Sequence, residues 1–168
     1  MIRLATDRDL PAIAAIYAEA VAHPFHTADL EPRTDAAWER WWAAHPPARY
    51  PVFVAEIGDD VVGWASLSAH RPGRAALVEV AEVSYYIAFA HHRKGFGEAL
   101  VRHAMARARQ RGYRLLYGLL IDGNTASIRL LEKLGFTEWG RLPSAVHVGE
   151  AFRDQVYMGR LLGAERLP

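Results

Sequence analysis

His91-His92-Arg93-Lys94-Gly95-Phe96-Gly97-Glu98-Ala99-Leu100 stands between a run that reads as the end of a strand and one that reads as the start of a helix. Upstream, Ala76 to Ile87 is rich in strand formers and continues into Ala88-Phe89-Ala90. Downstream, Leu100, Val101, Ala104, Met105 and Ala108 recur at helical spacing over Gly97 to Arg111, and the pattern stops at Gly112. Leu115 to Ile121 is then an apolar strand. A strand, a helix and a strand in that order form a right-handed crossover between parallel neighbours.

The remaining segments extend this unit on both sides. Ile2-Arg3-Leu4-Ala5 alternates like a short strand. Thr6 and Asp7 can cap a helix carrying Leu10, Ile13, Ile16, Tyr17 and Val21, which stops at His23-Pro24. Thr34 and Asp35 open a second helix through Trp38, Trp41 and Trp42, which ends before Pro46-Pro47. Val52 to Ile57 and Val61 to Leu67 flank Gly58-Asp59-Asp60 as a hairpin. Asn124 to Leu134 is a helix stopped by Gly135. Phe136 to Trp139, Ala145 to Val148 and Gln155 to Leu161 read as closing strands. The expectation is an α/β fold with a mixed sheet, in one domain spanning residues 1–168.

Composition narrows the chemistry. The chain has no cysteine, which excludes a disulfide framework, a thiolate nucleophile and a cysteine-ligated metal. Basic and acidic residues number 20 and 19, so no global field grips nucleic acid or an anionic membrane. The eight histidines show no zinc spacing. His23 and His26 are separated by a proline, and the adjacent His91 and His92 would point apart on a strand. No apolar run approaches the ~18 residues of a membrane helix. Residues 1–9 lack the apolar core of a signal peptide, so the expected location is cytoplasmic.

The loop itself suits a pyrophosphate. Gly95 and Gly97 let the backbone fold tightly and expose successive N–H groups. The helix that follows adds its free N-terminal N–H groups and positive dipole end. Arg93 and Lys94 add side-chain charge. Lys94 and Lys133 are the chain's two lysines. On local grounds alone, the loop reads equally as a tight strand-to-helix turn with a solvated basic rim. It lacks the third glycine of a dinucleotide fingerprint and the Gly-Lys-Ser/Thr of a P-loop.

His92-Arg93-Lys94-Gly95-Phe96-Gly97 resembles the acyl-CoA motif Arg/Gln-x-x-Gly-x-Gly/Ala of the GNAT superfamily of acetyl-CoA-dependent N-acetyltransferases, with His92 at the Arg/Gln position. Asn124, Ser127 and Leu131-Glu132-Lys133-Leu134-Gly135-Phe136 resemble that family's later helix. Ile16-Tyr17, Glu31-Pro32-Arg33-Thr34 and Ala81-Glu82-Val83-Ser84-Tyr85-Tyr86-Ile87 are similar to the phosphinothricin N-acetyltransferase-like subfamily. The resemblance implies a mostly antiparallel mixed sheet, splayed around an acyl-CoA site and flanked by helices.

It also implies acetyl transfer from acetyl-CoA to a primary amine by direct attack in a ternary complex, without a metal. The acceptor would be small and amino-acid-like, of the phosphinothricin or methionine sulfoximine type. A protein N-terminus or an aminoglycoside is an alternative acceptor, and a non-catalytic CoA-binding regulatory module is an alternative role. Glu82 is the candidate base, since a carboxylate within an apolar strand is costly unless paired or functional. A structural ion pair with an arginine is the competing reading.

By the same resemblance, the backbone of Tyr86, Ile87 and Ala88 would receive the thioester and pantetheine amides. His92, Arg93, Lys94, Gly95, Phe96, Gly97 and Glu98 would form the pyrophosphate cradle. Asn124 would bind the pantetheine arm, and Lys133 would reach a CoA phosphate. Phe25, His26, Trp38, Tyr85 and His147 are candidate acceptor contacts, with Arg71 and Arg74 as candidates for a substrate carboxylate. Many superfamily members carry a tyrosine where this chain has Leu131, which cannot protonate a leaving thiolate. Arg153-Asp154 replaces the His-Asp of phosphinothricin-type enzymes. The resemblance further implies a homodimer, for which the tryptophan stripe at 38, 41 and 42 offers a surface.

Overall fold

In the computed structural model, which describes residues 1–163, the crossover unit occupies the middle of the sheet. Strands β1 (Ile2–Leu4), β2 (Val52–Ile57), β3 (Asp60–Ala69), β4 (Val80–Ile87), β5 (Leu115–Ile121), β6 (Thr137–Val148) and β7 (Ala151–Leu161) form one sheet in the order β1-β2-β3-β4-β5-β7-β6. Helices α1 (Leu10–Val21), α2 (Asp35–Ala43), α3 (Phe96–Gln110) and α4 (Thr125–Lys133) flank it. All neighbouring strands are antiparallel except β4 and β5, which α3 connects. A parallel pair requires such a crossover, because a tight hairpin can join only antiparallel strands.

The β4–β5 pairing is short. Val80, Ala81 and Glu82 face Leu115, Leu116 and Tyr117, and the register ends there. Beyond Glu82 the two strands separate, leaving one side of β4 unpaired at the sheet's centre.

Strand alternation sends side chains to two cores. Ala81 and Val83 of β4 join Leu100, Val101, Ala104 and Met105 of α3 and Leu131 of α4. Tyr86 faces the other way, toward Ile13, Ile16 and Tyr17 of α1, Trp38 of α2 and Trp64 of β3. Trp64 is 2% exposed and donates its indole N–H to the Ile13 carbonyl at 3.1 Å. Trp41 and Trp42 pack against the same cluster. Of the tryptophan stripe, Trp38 is therefore core, and Trp41 and Trp42 are half-buried at its edge.

Two stretches depart from the sequence reading. Ala76 to Glu79 is not strand: Ala75–Leu77 is a 3₁₀ turn, and β4 begins at Val80. The segments 136–139 and 145–148 belong to one strand, β6, with Phe136 in the core just before it. Pro143 and the positive φ of Ser144 interrupt its register without ending it. This is tolerated because β6 is an edge strand, where a missing N–H costs no ladder bond. Asp154 of β7 catches the irregularity, accepting the Ser144 N–H at 2.9 Å and Arg141 Nη1 at 3.1 Å.

The entry to α1 is fixed by charge. Asp9 is 6% exposed and accepts from the Thr6 N–H at 2.7 Å. Arg3 donates to both of its oxygens, at 2.7 and 2.8 Å. These donors, the Arg3 bonds foremost, lower the Asp9 pKa from 3.8 to about 2. A depressed carboxylate stabilises the fold above its unfolded pKa and loses that contribution as pH falls through the folded value. Asp9→Asn is expected to cost about 2 kcal/mol at neutral pH. Urea titrations of both proteins should show the difference shrinking between about pH 4 and pH 2.

Candidate active site

The separation of β4 from β5 opens a cavity of about 670 Å³. One wall is Val83, Ser84, Tyr85, Tyr86 and Ile87 from β4. The opposite wall is Gly118, Leu119 and Leu120 from β5, with Asn124, Ser127 and Leu130 beyond. Its mouth is the loop before α3 and that helix's first turn.

Hydrogen-bond direction along β4 decides which backbone groups reach the cavity. The Ala88 N–H donates to the Val62 carbonyl at 3.0 Å. Strand alternation turns the Tyr86 N–H the same way, toward Trp64. The expectation of three free donors is therefore corrected: of Tyr86, Ile87 and Ala88, only Ile87 directs its N–H into the gap. The carbonyl of Ile87 accepts from His92 Nε2 at 2.9 Å, which fixes the proton on that nitrogen. His92 also stacks on Phe89, with centroids 4.5 Å apart.

The cradle has the backbone form that the glycines suggested. Gly95 has φ +86°, a conformation costly for a side chain, and caps α3. Arg93 is also left-handed, at φ +60°. The first N–H groups of α3, from Phe96, Gly97 and Glu98, have no carbonyl a turn earlier in the helix to bond. Arg93, Gly95, Phe96, Gly97 and Glu98 line the cavity. Lys94 does not; its Nζ donates to the Ala90 carbonyl at 2.9 Å. Glu98 pairs with Lys133 at 2.5 Å and Arg102 at 2.9 Å, and these donors lower its pKa. Lys133 thus reaches the cavity mouth from α4.

Asn124 is 8% exposed and both ends of its amide are engaged. Oδ1 accepts the Ser127 N–H, capping α4, and Nδ2 donates to the Phe25 carbonyl, each at 3.2 Å. Phe25 packs its ring on Gly123 and lies outside the cavity lining, while His26 beside it lines the wall. Tyr85 lines the cavity and donates to the Ser127 carbonyl at 3.4 Å. Burial pushes its pKa up to about 12, so the phenol is neutral at ordinary pH.

Four further sequence candidates fall elsewhere. Trp38 is 5% exposed and packs edge-on against Tyr17 in the α1–α2 core. Arg71 and Arg74 are exposed on the loop after β3, and His147 is exposed on β6 against Phe152. Loop and edge positions cannot be placed from spacing alone. Leu131 is fully buried behind Gly118.

Glu82 stands just behind the cavity wall. Ser84, two residues along the same face, lines the cavity and donates to Glu82 Oε1 at 3.2 Å. The Tyr117 hydroxyl donates to Oε2 at 3.3 Å, and His70 Nδ1 lies 2.9 Å from the Tyr117 oxygen. Burial raises the Glu82 pKa, and Ser84, Tyr117 and His70 oppose that rise. No arginine or lysine bonds to Glu82 among the described residues, so the structural ion pair is not formed. Sequence reasoning missed Tyr117 and His70. Tyr117 is the one hydroxyl-bearing residue in an otherwise apolar β5, which is a legible signal, but its partner depends on the β4–β5 register. No group of three His, Asp or Glu is placed to hold a metal among the described residues.

Residues 11–136 match the family model "Acetyltransferase (GNAT) family". YwnH of Bacillus subtilis (strain 168), a candidate phosphinothricin acetyltransferase, is 38% identical over 96% of this chain and 98% of its own. An L-methionine sulfoximine/L-methionine sulfone acetyltransferase of Pseudomonas aeruginosa is 34% identical over 90% of this chain and 86% of its own. A GNAT superfamily phosphinothricin acetyltransferase from Sinorhizobium meliloti, solved in complex with AcCoA, superposes with a TM-score of 0.91 at 29% identity. That match covers 97% of this chain and 88% of the other. With most of its length matched by the family model and by relatives of this identity, the chain belongs to the GNAT acetyltransferase family.

Proposed function

We propose that this chain transfers an acetyl group from acetyl-CoA to the primary amine of a small, amino-acid-like acceptor. The observation that carries the reading is the cavity's asymmetry. A cradle of backbone N–H groups lies at one end, and a buried carboxylate stands behind a hydroxyl in its wall. The residues fit the donor: the Gly95–Glu98 turn suits a pyrophosphate, and Leu119, Leu120 and Leu130 suit an apolar arm. Acetyl-CoA supplies the activated acyl carbon, and the chain supplies placement and proton transfer.

Glu82 acts as the base. Ser84 sits between the cavity and Oε1, so the amine's proton reaches the carboxylate over one hydroxyl or one water. The Ile87 N–H meets the charge that develops on the thioester oxygen. Leu131 offers no acid, so the leaving sulfur takes its proton from solvent. Relatives named for methionine sulfoximine, phosphinothricin and L-amino acids support the acceptor class. The test is a thiol-release screen with acetyl-CoA across methionine sulfoximine, phosphinothricin, free amino acids, peptides and an aminoglycoside. Turnover is expected with an amino-acid analogue; turnover only with peptides or the aminoglycoside contradicts the acceptor assignment.

A further inference from the structure

The candidate base is the end of a chain of polar groups that leads away from the cavity. Glu82 on β4, Tyr117 on β5 and His70 just after β3 are linked by contacts of 3.3 and 2.9 Å. The polarity of that chain follows from its members. An ionised carboxylate only accepts, so the single Tyr117 proton points at Glu82 Oε2. The Tyr117 oxygen then accepts, and His70 Nδ1 must carry a hydrogen to supply it. His70 crosses Tyr117 edge-on, with centroids 5.1 Å apart, and Tyr157 of β7 stacks on the other ring at 6.3 Å. Both rings pack against the phenol.

We infer that Tyr117 and His70 are a positioning pair for Glu82, aiming its carboxylate at the Ser84 side of the cavity. This rests on the reading of Glu82 as the base. The two oxygens divide the work. Oε2 is tied to Tyr117, which leaves Oε1 for Ser84 and the cavity. Other titratable groups around Glu82 are few. Tyr86 lies further along its own strand, and Tyr157 stands behind Tyr117. His45 from the end of α2 bonds Ser68, the residue opposite Glu82 on β3, rather than Glu82 itself. Among the described residues no arginine or lysine pairs with the carboxylate, so Ser84, Tyr117 and His70 are the groups that favour its ionised form.

The sign of the effect is fixed. The base works when ionised, so kcat falls as pH drops below the pKa of the bound state. Removing a donor to the carboxylate raises that pKa. Tyr117→Phe keeps the ring and deletes the hydroxyl. It is expected to move the acid limb of the kcat–pH profile up by about one unit, which is about tenfold in kcat below the limb, and to lower the plateau as the carboxylate loses its aim. His70→Leu, at the strand's outer end, is expected to move the limb the same way by less. His70→Asn returns a donor near Nδ1 and is expected to restore the wild-type limb.

Profiles of these variants are measured beside Glu82→Gln. If Glu82→Gln keeps the wild-type acid limb, the base assignment falls and the positioning pair falls with it. If Glu82→Gln loses the limb while Tyr117→Phe and His70→Leu leave the midpoint in place or lower it, the base stands and the positioning pair is overturned.

Discussion

Glu82→Gln is expected to lower kcat by at least about 100-fold, in the range that a positioned general base contributes. The substitution is chosen because it changes charge and little else. The amide oxygen can still accept from Tyr117, and the volume is unchanged. Melting temperature and acetyl-CoA affinity should therefore stay at wild-type values, and the loss should fall on turnover. Burial of a carboxylate that no arginine or lysine pairs with among the described residues is also a standing cost, so the variant is expected to be no less stable than wild type. A kcat within threefold of wild type across the pH range contradicts the assignment.

Gly97→Val is expected to weaken acetyl-CoA binding by about 100-fold, measured by calorimetric titration. Gly97 lies in the first turn of α3, where free N–H groups face the cavity. A Cβ there would come within 3.3 Å of Leu130 Cδ2 and 3.9 Å of the Tyr85 ring. The two methyls of valine would then occupy the space in front of the N–H groups. Losing one or two hydrogen bonds to a charged phosphate costs about 1.5–3 kcal/mol each. The backbone at Gly97 is helical, so the fold should survive, and an unchanged melting temperature separates lost binding from lost structure. Undiminished affinity contradicts the cradle.

Much of this architecture is legible in the chain because local signals coincide there with tertiary demands. The strand Leu115–Ile121 has the bounds that the sequence predicts, since an apolar run between Gly112 and Asp122 has one way to be buried at the sheet's centre. Asn124 opens the helix in the sequence, and its side chain caps it in the structure. The edge strand β6 is legible only as two separate halves. Its side chains are largely exposed, so no alternation marks it, and its continuity past Pro143 depends on Asp154 from the next strand. The site divides in the same way. Gly95, Gly97 and Glu82 announce themselves by residue type. The turn of the Ala88 N–H toward Val62 and the union of Tyr117 with Glu82 depend on register between segments far apart in sequence. Arg71, Arg74 and His147 had suitable chemistry, but nothing in their spacing recorded which side of the sheet their loops and edges would face.

Acetyl transfer in a single ternary complex is tested most directly by initial velocities with acetyl-CoA and the acceptor varied together, counting thiol and N-acetylated product. The chain has no cysteine to carry the acyl group, and the proposed base, Glu82, stands just behind Ser84 in the cavity wall. The expected result is a set of intersecting double-reciprocal lines, with equal amounts of thiol and acetylated amine. Parallel lines, or thiol released in a burst before any acceptor is added, would contradict direct transfer.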